Sequence, residues 1–220
     1  MRYAAISVAA GRGTRAGGQL PKQWQDVAGR PVAAWTLERF AGASTRILVV
    51  NDSDMDHARK LATGPDIRVV TGGASRAASV RAGLEALVAD APERVLIHDV
   101  ARPCITSIVI DNVLTGLDNF TGAAPALPVT DALWSGQDGQ VAGITPRDGL
   151  FRAQTPQGFH FEAILAAHTT ASPDAADDVA VALAAGLSVA IVEGSEDNLK
   201  ITGPADFARA AAILERQNGH

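Results

Sequence analysis

With 220 residues, 47% hydrophobic, 20% charged and 5% aromatic, the chain is long enough for one large domain with an aliphatic core, and short for two. Its net charge of −5 excludes a nucleic-acid binder held by a broad basic surface. No apolar run is long enough to cross a bilayer, the N-terminus carries no signal h-region with a cleavage site, and the single Cys104 cannot form an internal disulfide, so a cytoplasmic setting is expected.

In chain order, residues 3–9 form a short apolar run that stops at Gly11 and reads as a buried strand. A glycine-rich loop is expected up to about Arg30, then a helix over 32–40 and a second buried strand over 47–51. Asp52 or Ser53 is a plausible cap for a helix running to Ala62. A strand over 67–71 precedes a helix over 76–88 with apolar positions at Val80, Leu84, Leu87 and Val88. A strand over 94–98, a helix over 107–117 capped by Thr106 and a strand over 123–128 continue the alternation. This rhythm predicts an α/β fold of the Rossmann-like, three-layer kind, with a mainly parallel sheet covered on both faces.

The rhythm then breaks. Residues 132–135 and 140–144 flank the turn-forming Gly136-Gln137-Asp138-Gly139, which predicts a β-hairpin arm spanning about 131–152. Gln154-Thr155-Pro156-Gln157-Gly158-Phe159 reads as a returning loop into helices over 161–168 and 177–185. A last strand over 189–192 and a last helix over 204–217, with Pro204 in its first turn and Thr202 as cap, complete one domain.

Charge is unevenly spread. Residues 1–25 hold Arg2, Arg12, Arg15 and Lys22 and no acidic residue, which suits a small anionic ligand as well as a solvated face. There, Ala9-Ala10-Gly11-Arg12-Gly13-Thr14-Arg15 ends the first strand and Pro21-Lys22-Gln23 follows. Glycines let a phosphate approach backbone N–H groups, and Arg15 and Lys22 add charged donors. Gly11, Gly13 and Ala16 also meet the loose dinucleotide pattern. However, that fingerprint should open a helix, and here it runs into Gly17-Gly18 and Pro21.

Gly72-Gly73-Ala74-Ser75-Arg76 is a second strand-end glycine pair leading into a helix, able to hold a flat base with Ser79 at its edge, or to be a plain turn. His98-Asp99-Val100-Ala101-Arg102-Pro103 sits at the carboxyl end of a strand, where open α/β sheets place ligands. Asp99 there could hold Mg²⁺ or simply pair with Arg102. Lys200 follows the last strand, and of 19 basic residues it, Lys22 and Lys60 are the lysines, so two of the three fall in candidate site segments. One Cys and five scattered His give no ligand spacing for zinc, and no His–Asp pairing or activated Ser is evident.

Taken together, Ala-Ala-Gly-x-Gly-x-Arg…Pro-Lys-Gln, Gly-Gly-x-x-Arg-x-x-Ser-Val, His-Asp-x-Ala-Arg-Pro, Gln-Thr-Pro-Gln-x-Phe and Asn-x-Lys-Ile-Thr-x-Pro-x-Asp resemble the 2-C-methyl-D-erythritol 4-phosphate cytidylyltransferases, in order across residues 5–206. The resemblance implies a homodimeric, Mg²⁺-dependent nucleotidyltransferase of isoprenoid precursor biosynthesis, with the arm reaching the partner's site. It implies that Arg15, Lys22 and Lys200 are catalytic and handle phosphate. It also places CTP against Ala9, Ala10, Gly11, Gly13, Gly73, Ala74 and Ser79. Asp99 and Arg102 would face the polyol phosphate, and Asp99 the metal.

The sequence departs from the family pattern at several places, and the half of the site left incomplete is the one for the substrate phosphate. Ala16 replaces a usual Met, Asp131-Ala132-Leu133-Trp134 an Asp-Thr-Ile-Lys, and Ala176-Asp177-Asp178 a Thr-Asp-Asp. Phe161 stands where some members have Arg. The remaining candidates for that phosphate are Thr145, Arg147 and Arg152. A CDP-ribitol-forming activity, a pyrophosphorylase for another nucleotide and an inactive nucleotide-sensing module are the alternatives.

Overall fold

The computed structural model describes residues 2–11 and 20–219; the following applies to those. Strand β1 (Tyr3–Ala9) is buried nearly throughout, because it lies between two parallel neighbours in the middle of the sheet. A 3-10 turn at Lys22–Trp24 and a two-residue ladder between β2 (Asp26–Val27) and β3 (Arg30–Pro31) occupy the stretch expected to be loop. Helix α1 (Val32–Arg39) leads to β4 (Thr45–Val50). Next, Asn51, not Asp52 or Ser53, caps a short 3-10 helix by accepting from the Ser53 N–H, and α2 (Met55–Leu61) follows. The side chain one residue earlier wins because an asparagine in extended backbone reaches the N–H two positions on.

Strand β5 (Ile67–Thr71) precedes α3 (Arg76–Glu85), which ends three residues before the expected Val88. Leu87 still reaches the core from the following turn, whereas Val88 is exposed. Then come β6 (Arg94–Asp99), α4 (Ser107–Gly116) and β7 (Gly122–Pro128). Thr106 precedes α4 but makes no side-chain capping bond.

Strands β8 (Leu133–Gln137) and β9 (Gln140–Thr145) form the expected hairpin, with a bulge at Ser135/Gly136. Its turn is Asp138-Gly139 alone, at φ +51° and +79°, a two-residue reversal that needs left-handed backbone at both positions. A short strand β10 (Phe151–Ala153) stands where the arm was expected to end, and the supposed return loop over 154–159 runs into a strand, β11 (Gln157–His160). Strand β11 has no apolar alternation to announce it. It becomes a strand because β6 and β7 offer ladder partners on both sides, to which it runs antiparallel.

After α5 (Phe161–Thr169) and α6 (Asp178–Ala184), β12 (Val189–Glu193) adds parallel to β7. Helix α7 (Pro204–Gln217) closes the chain. Gly203 is its N-cap, and Thr202 and the Gly203 N–H both donate to Asp206. Among the described residues the main sheet has eight strands, with β12, β7, β11, β6, β1, β4 and β5 side by side and β10 on the outer half of β7; the β10–β11 segment is the antiparallel one.

Alternation along the parallel strands splits the core. Ala4, Ile6, Ile47, Val49 and Ile97 pack under α3, α5 and α6. On the opposite face Tyr3, Ala5 and Leu96 meet α4, and Leu48 and Val50 meet α1 and α2. This three-layer arrangement leaves the carboxyl ends of β1, β5 and β6 at one edge, which is where the motifs converge.

Candidate active site

A cleft of about 280 Å³ opens at that edge. Its walls come from the end of β1 (Ala9, Ala10, Gly11), the junction after β5 (Gly73, Ala74, Ser75, Arg76), the end of β6 (Asp99) and the two lysines Lys22 and Lys200. Gly13 and Arg15 lie outside the described residues.

The β5–α3 junction is tight for a covalent reason. A Cβ on Gly73 would come 2.5 Å from the Ala78 Cβ, so the turn closes on the helix only without one. Ser79 is buried below it, accepting from the Gly73 N–H (3.1 Å) and donating to the Ser75 carbonyl (2.9 Å). Its hydroxyl therefore shapes the junction as well as lining the cleft. Across from it, the Lys22 ammonium donates to the Ile201 carbonyl at 2.7 Å, tying the segment after the glycine loop to the one that carries Lys200. The buried Gln23 amide holds the same segment down, donating to the carbonyls of Ala9 (2.9 Å) and Gly11 (3.2 Å) and to Asp54.

Asp99 is the centre of charge. Lys200 donates to its Oδ2 at 2.7 Å, and Arg76 stands 3.5 Å from its Oδ1. Burial pushes the Asp99 carboxyl up, but Lys200, Arg76 and Arg102 outweigh it and hold it well below the usual carboxylate range. Arg102 does not ion-pair with Asp99; it donates to the Asn198 carbonyl at 2.7 Å. Beneath lies the fully buried His98, which burial pushes down to about 4, so it is neutral at physiological pH. The Arg102 carbonyl can only accept, so His98 Nε2–H donates to it (3.1 Å) and Nδ1 accepts from the Thr155 hydroxyl (3.0 Å). The Thr155 oxygen in turn accepts the Asp99 N–H at 3.1 Å, so the backbone under the carboxylate is fixed from below.

A second cavity of about 290 Å³ shares Lys200 with the first and carries Arg102, Arg152 and Arg209. Arg152 is paired with Glu196. Thr145 and Arg147 are elsewhere, on the arm and the segment after it; both are exposed, and Arg147 donates to the Thr130 carbonyl.

Three further residues around the cleft escaped the sequence reading. Arg76 was legible as the arginine of the second glycine motif; Thr155 and Asn198 carried no signal beyond their motif membership. The expectation of no His–Asp pairing is also corrected. His168 Nε2 lies 3.2 Å from Asp178 Oδ1, both side chains being buried, and Asp178 Oδ2 lies 2.8 Å from Arg76. The two residues are brought together by the packing of α5 on α6, which no local spacing encodes.

Among known proteins, the family described as 2-C-methyl-D-erythritol 4-phosphate cytidylyltransferase matches residues 3–216. The enzyme of that name from Cereibacter sphaeroides (strain KD131) is 59% identical over 220 residues, covering 97% of each chain. A crystal structure of 4-diphosphocytidyl-2C-methyl-D-erythritol synthase superposes with TM-score 0.85 at 28% identity, covering 97% of this chain and 98% of that one. The 2-C-methyl-D-erythritol 4-phosphate cytidylyltransferase from Thermus thermophilus gives 0.79 at 32% identity, covering 96% and 98%.

Proposed function

The chain belongs to the 2-C-methyl-D-erythritol 4-phosphate cytidylyltransferase family, and from that membership we propose how its cleft transfers a cytidylyl group from CTP to 2-C-methyl-D-erythritol 4-phosphate, giving 4-diphosphocytidyl-2-C-methyl-D-erythritol and pyrophosphate. The observation that carries the reading is the gathering of Ala9–Gly11, the Gly73 junction, Lys22, Lys200 and Asp99 around one cleft.

The nucleophile is an oxygen of a phosphate monoester, whose second pKa is about 6, so it is ionised at neutral pH without a general base. It attacks the α-phosphorus of CTP. A new P–O bond forms as the bond to the β-phosphate oxygen breaks, and pyrophosphate leaves with that electron pair. No proton has to move, which agrees with a cleft whose cations outnumber its acids. The obstacle is bringing one anion to another, and positioned cations and backbone donors remove it. In this reading Lys22, Lys200 and Arg15 neutralise the triphosphate and the leaving pyrophosphate. Ala9, Ala10, Gly11 and Gly13 bring backbone groups to the phosphates, and Gly73, Ala74 and Ser79 hold the cytosine. Asp99, Arg102 and Arg152 line the polyol-phosphate side around the second cavity.

Among the described residues Asp99 is the one carboxylate lining the cleft, and no three potential ligands cluster. That suits Mg²⁺, which takes one or two carboxylates and completes its shell from substrate phosphates and water, and does not suit a metal needing a protein cage. When bound, Mg²⁺ would neutralise phosphate charge, and Asp99 would be its protein ligand.

The reading includes a homodimer. The arm's exposed Trp134, Val141 and Ile144 need a surface to cover them, and a partner would bring Thr145 and Arg147 to the other subunit's substrate phosphate. It also includes one catalytic domain over 1–220 and a cytoplasmic setting; among the described residues no helix is long and apolar enough to cross a membrane.

The test is pyrophosphate release with CTP, Mg²⁺ and a panel of polyol phosphates. Release with methylerythritol 4-phosphate is expected; release with ribitol 5-phosphate and none with methylerythritol 4-phosphate overturns the substrate assignment.

A further inference from the structure

From the cleft a row of ionisable groups runs back into the fold, and its deeper members have no part in the transfer chemistry described above. It starts at Lys200, passes through Asp99 to Arg76 (3.5 Å), and from Arg76 Nη2 to Asp178 Oδ2 (2.8 Å); the other Asp178 oxygen meets His168 at 3.2 Å. The far end of the row is its deepest part. The Lys200 side chain is 41% exposed and Arg76 25%, whereas Asp178 and His168 are 1% and 0% exposed.

A carboxylate placed that deep is costly to bury and is a poor device for stability, since a well-packed apolar pair serves as well or better. What it supplies here is direction. Asp178 sits in the first turn of α6, and that turn is itself fixed. The Gln157 side-chain oxygen Oε1 accepts the N–H of Asp178 (2.9 Å) and of Val179 (3.0 Å), its side-chain Nε2 donates to Asp177, and Asp177 caps Ala180. Arg76, by contrast, is a long side chain with several rotatable bonds, at the cleft end of α3.

We propose that Asp178 is a positioning residue for the transfer reaction: it anchors one nitrogen of Arg76, so that the guanidinium faces Asp99 Oδ1 while Lys200 holds Oδ2, and the cleft carboxylate is kept in one orientation. The proposal rests on the cytidylyl-transfer reading above. An unanchored Arg76 can turn its fork fully onto Asp99 or out towards an incoming triphosphate. The first would compete with Lys200 for Oδ2 and the second would leave Oδ1 without its arginine, so either ends the two-sided grip. His168 Nε2 lies on the far side of Asp178, 3.2 Å from its other oxygen.

The experiment is a double-variant cycle with three readouts: kcat and KM for both substrates, CTP binding by calorimetry without the second substrate, and thermal melting. Asp178→Asn is expected to lower kcat/KM for the polyol phosphate on the order of tenfold to a hundredfold, as small misplacements at a reacting centre do. Arg76→Met should lose at least as much activity and also melt lower, because it leaves Asp178 buried without its guanidinium. Combining the two should restore melting towards wild type while activity stays at the level of Arg76→Met alone, since the anchor acts through Arg76. Arg76→Lys keeps the charge but, as a compact point cation, can serve one carboxylate and not both. It is expected to fold, and to lose activity as Asp178→Asn does.

Wild-type kinetics from Asp178→Asn or from Arg76→Lys would overturn the proposal. So would losses that multiply in the double variant, or a double variant regaining full activity with its stability, which would make the pair purely structural. An unaltered protein that binds CTP yet makes no pyrophosphate with methylerythritol 4-phosphate defeats the functional reading itself, and the proposal with it.

Discussion

The cleft and the arm are built on opposite plans. The cleft's groups are held by neighbours of the same chain: Asp99 by Lys200, Arg76 and the Thr155–His98 pair, Gln23 by two carbonyls, and the Gly73 turn by the buried Ser79 hydroxyl. The arm strands β8 and β9 pack mainly on each other, and Trp134, Val141 and Ile144 are 66%, 58% and 79% exposed. A two-stranded hairpin is marginal by itself in water. The cleft thus carries its geometry within one chain, whereas Thr145 and Arg147 stand exposed and away from it.

The sharpest way to break the contrast is to remove a cleft charge. Lys200→Ala should lower kcat on the order of 10²–10³ with little change in melting, because the ammonium is partly exposed and acts where charge develops. Lys22→Ala should also lose rate, but with a melting change of its own, since that ammonium additionally ties the segment after the glycine loop to the Ile201 carbonyl. A Lys200→Ala protein with near-normal kcat removes the residue from the mechanism.

How far the sequence revealed each region follows from the same difference. The alternation of apolar runs and helical stretches was enough for the parallel half of the sheet, and the rule that ligands sit at strand carboxyl ends put Gly11, Gly73 and Asp99 together. Strand β11 was not legible, because Gln157-Gly158-Phe159-His160 takes its conformation from its neighbours β6 and β7. Nor was the pairing of His168 with Asp178, ten positions apart on different helices, or the engagement of Ser79 with its own turn. The arm was readable as a hairpin from Asp138-Gly139, but nothing in its own residues says what covers Trp134, Val141 and Ile144.

A smaller effect is expected at the cleft floor. His98 is fully buried and pushed down to about 4 from 6.5, so between those values the unfolded chain binds a proton that the folded one refuses. Stability should therefore be flat above about pH 6.5 and fall as the pH drops towards 4, by about 1.4 kcal/mol per unit and on the order of 3 kcal/mol in all. Asp99, held low by Lys200 and Arg76 against its burial, adds a loss of the same sign, but only below about pH 4, where the unfolded carboxyl protonates. His98→Asn should flatten the profile between pH 6 and 4.5 even though it lowers stability overall. Melting temperatures across that range decide it: an unchanged slope in the variant assigns the titration elsewhere.

The smallest effect, and the most telling for the contrast, is expected from shortening the arm. Deleting residues 136–139 removes the Asp138-Gly139 reversal and the bulge beside it, while touching none of the residues that line the cleft. If each arm is covered by a partner subunit, the deletion exposes its apolar residues to no partner, and self-association weakens. The polyol phosphate then loses the groups a partner would supply, so its KM should rise about tenfold, the worth of one charge-assisted contact, while KM for CTP stays within about twofold. The pH profile set by His98 should be unmoved, because nothing on the arm touches it. Light scattering and two-substrate kinetics on the same preparation check both halves. A wild-type chain that is monomeric at full activity would dissolve the contrast, since the arm would then have no surface to act through. A deletion that damaged CTP binding alone would reverse it, tying the arm to the nucleotide half of the cleft.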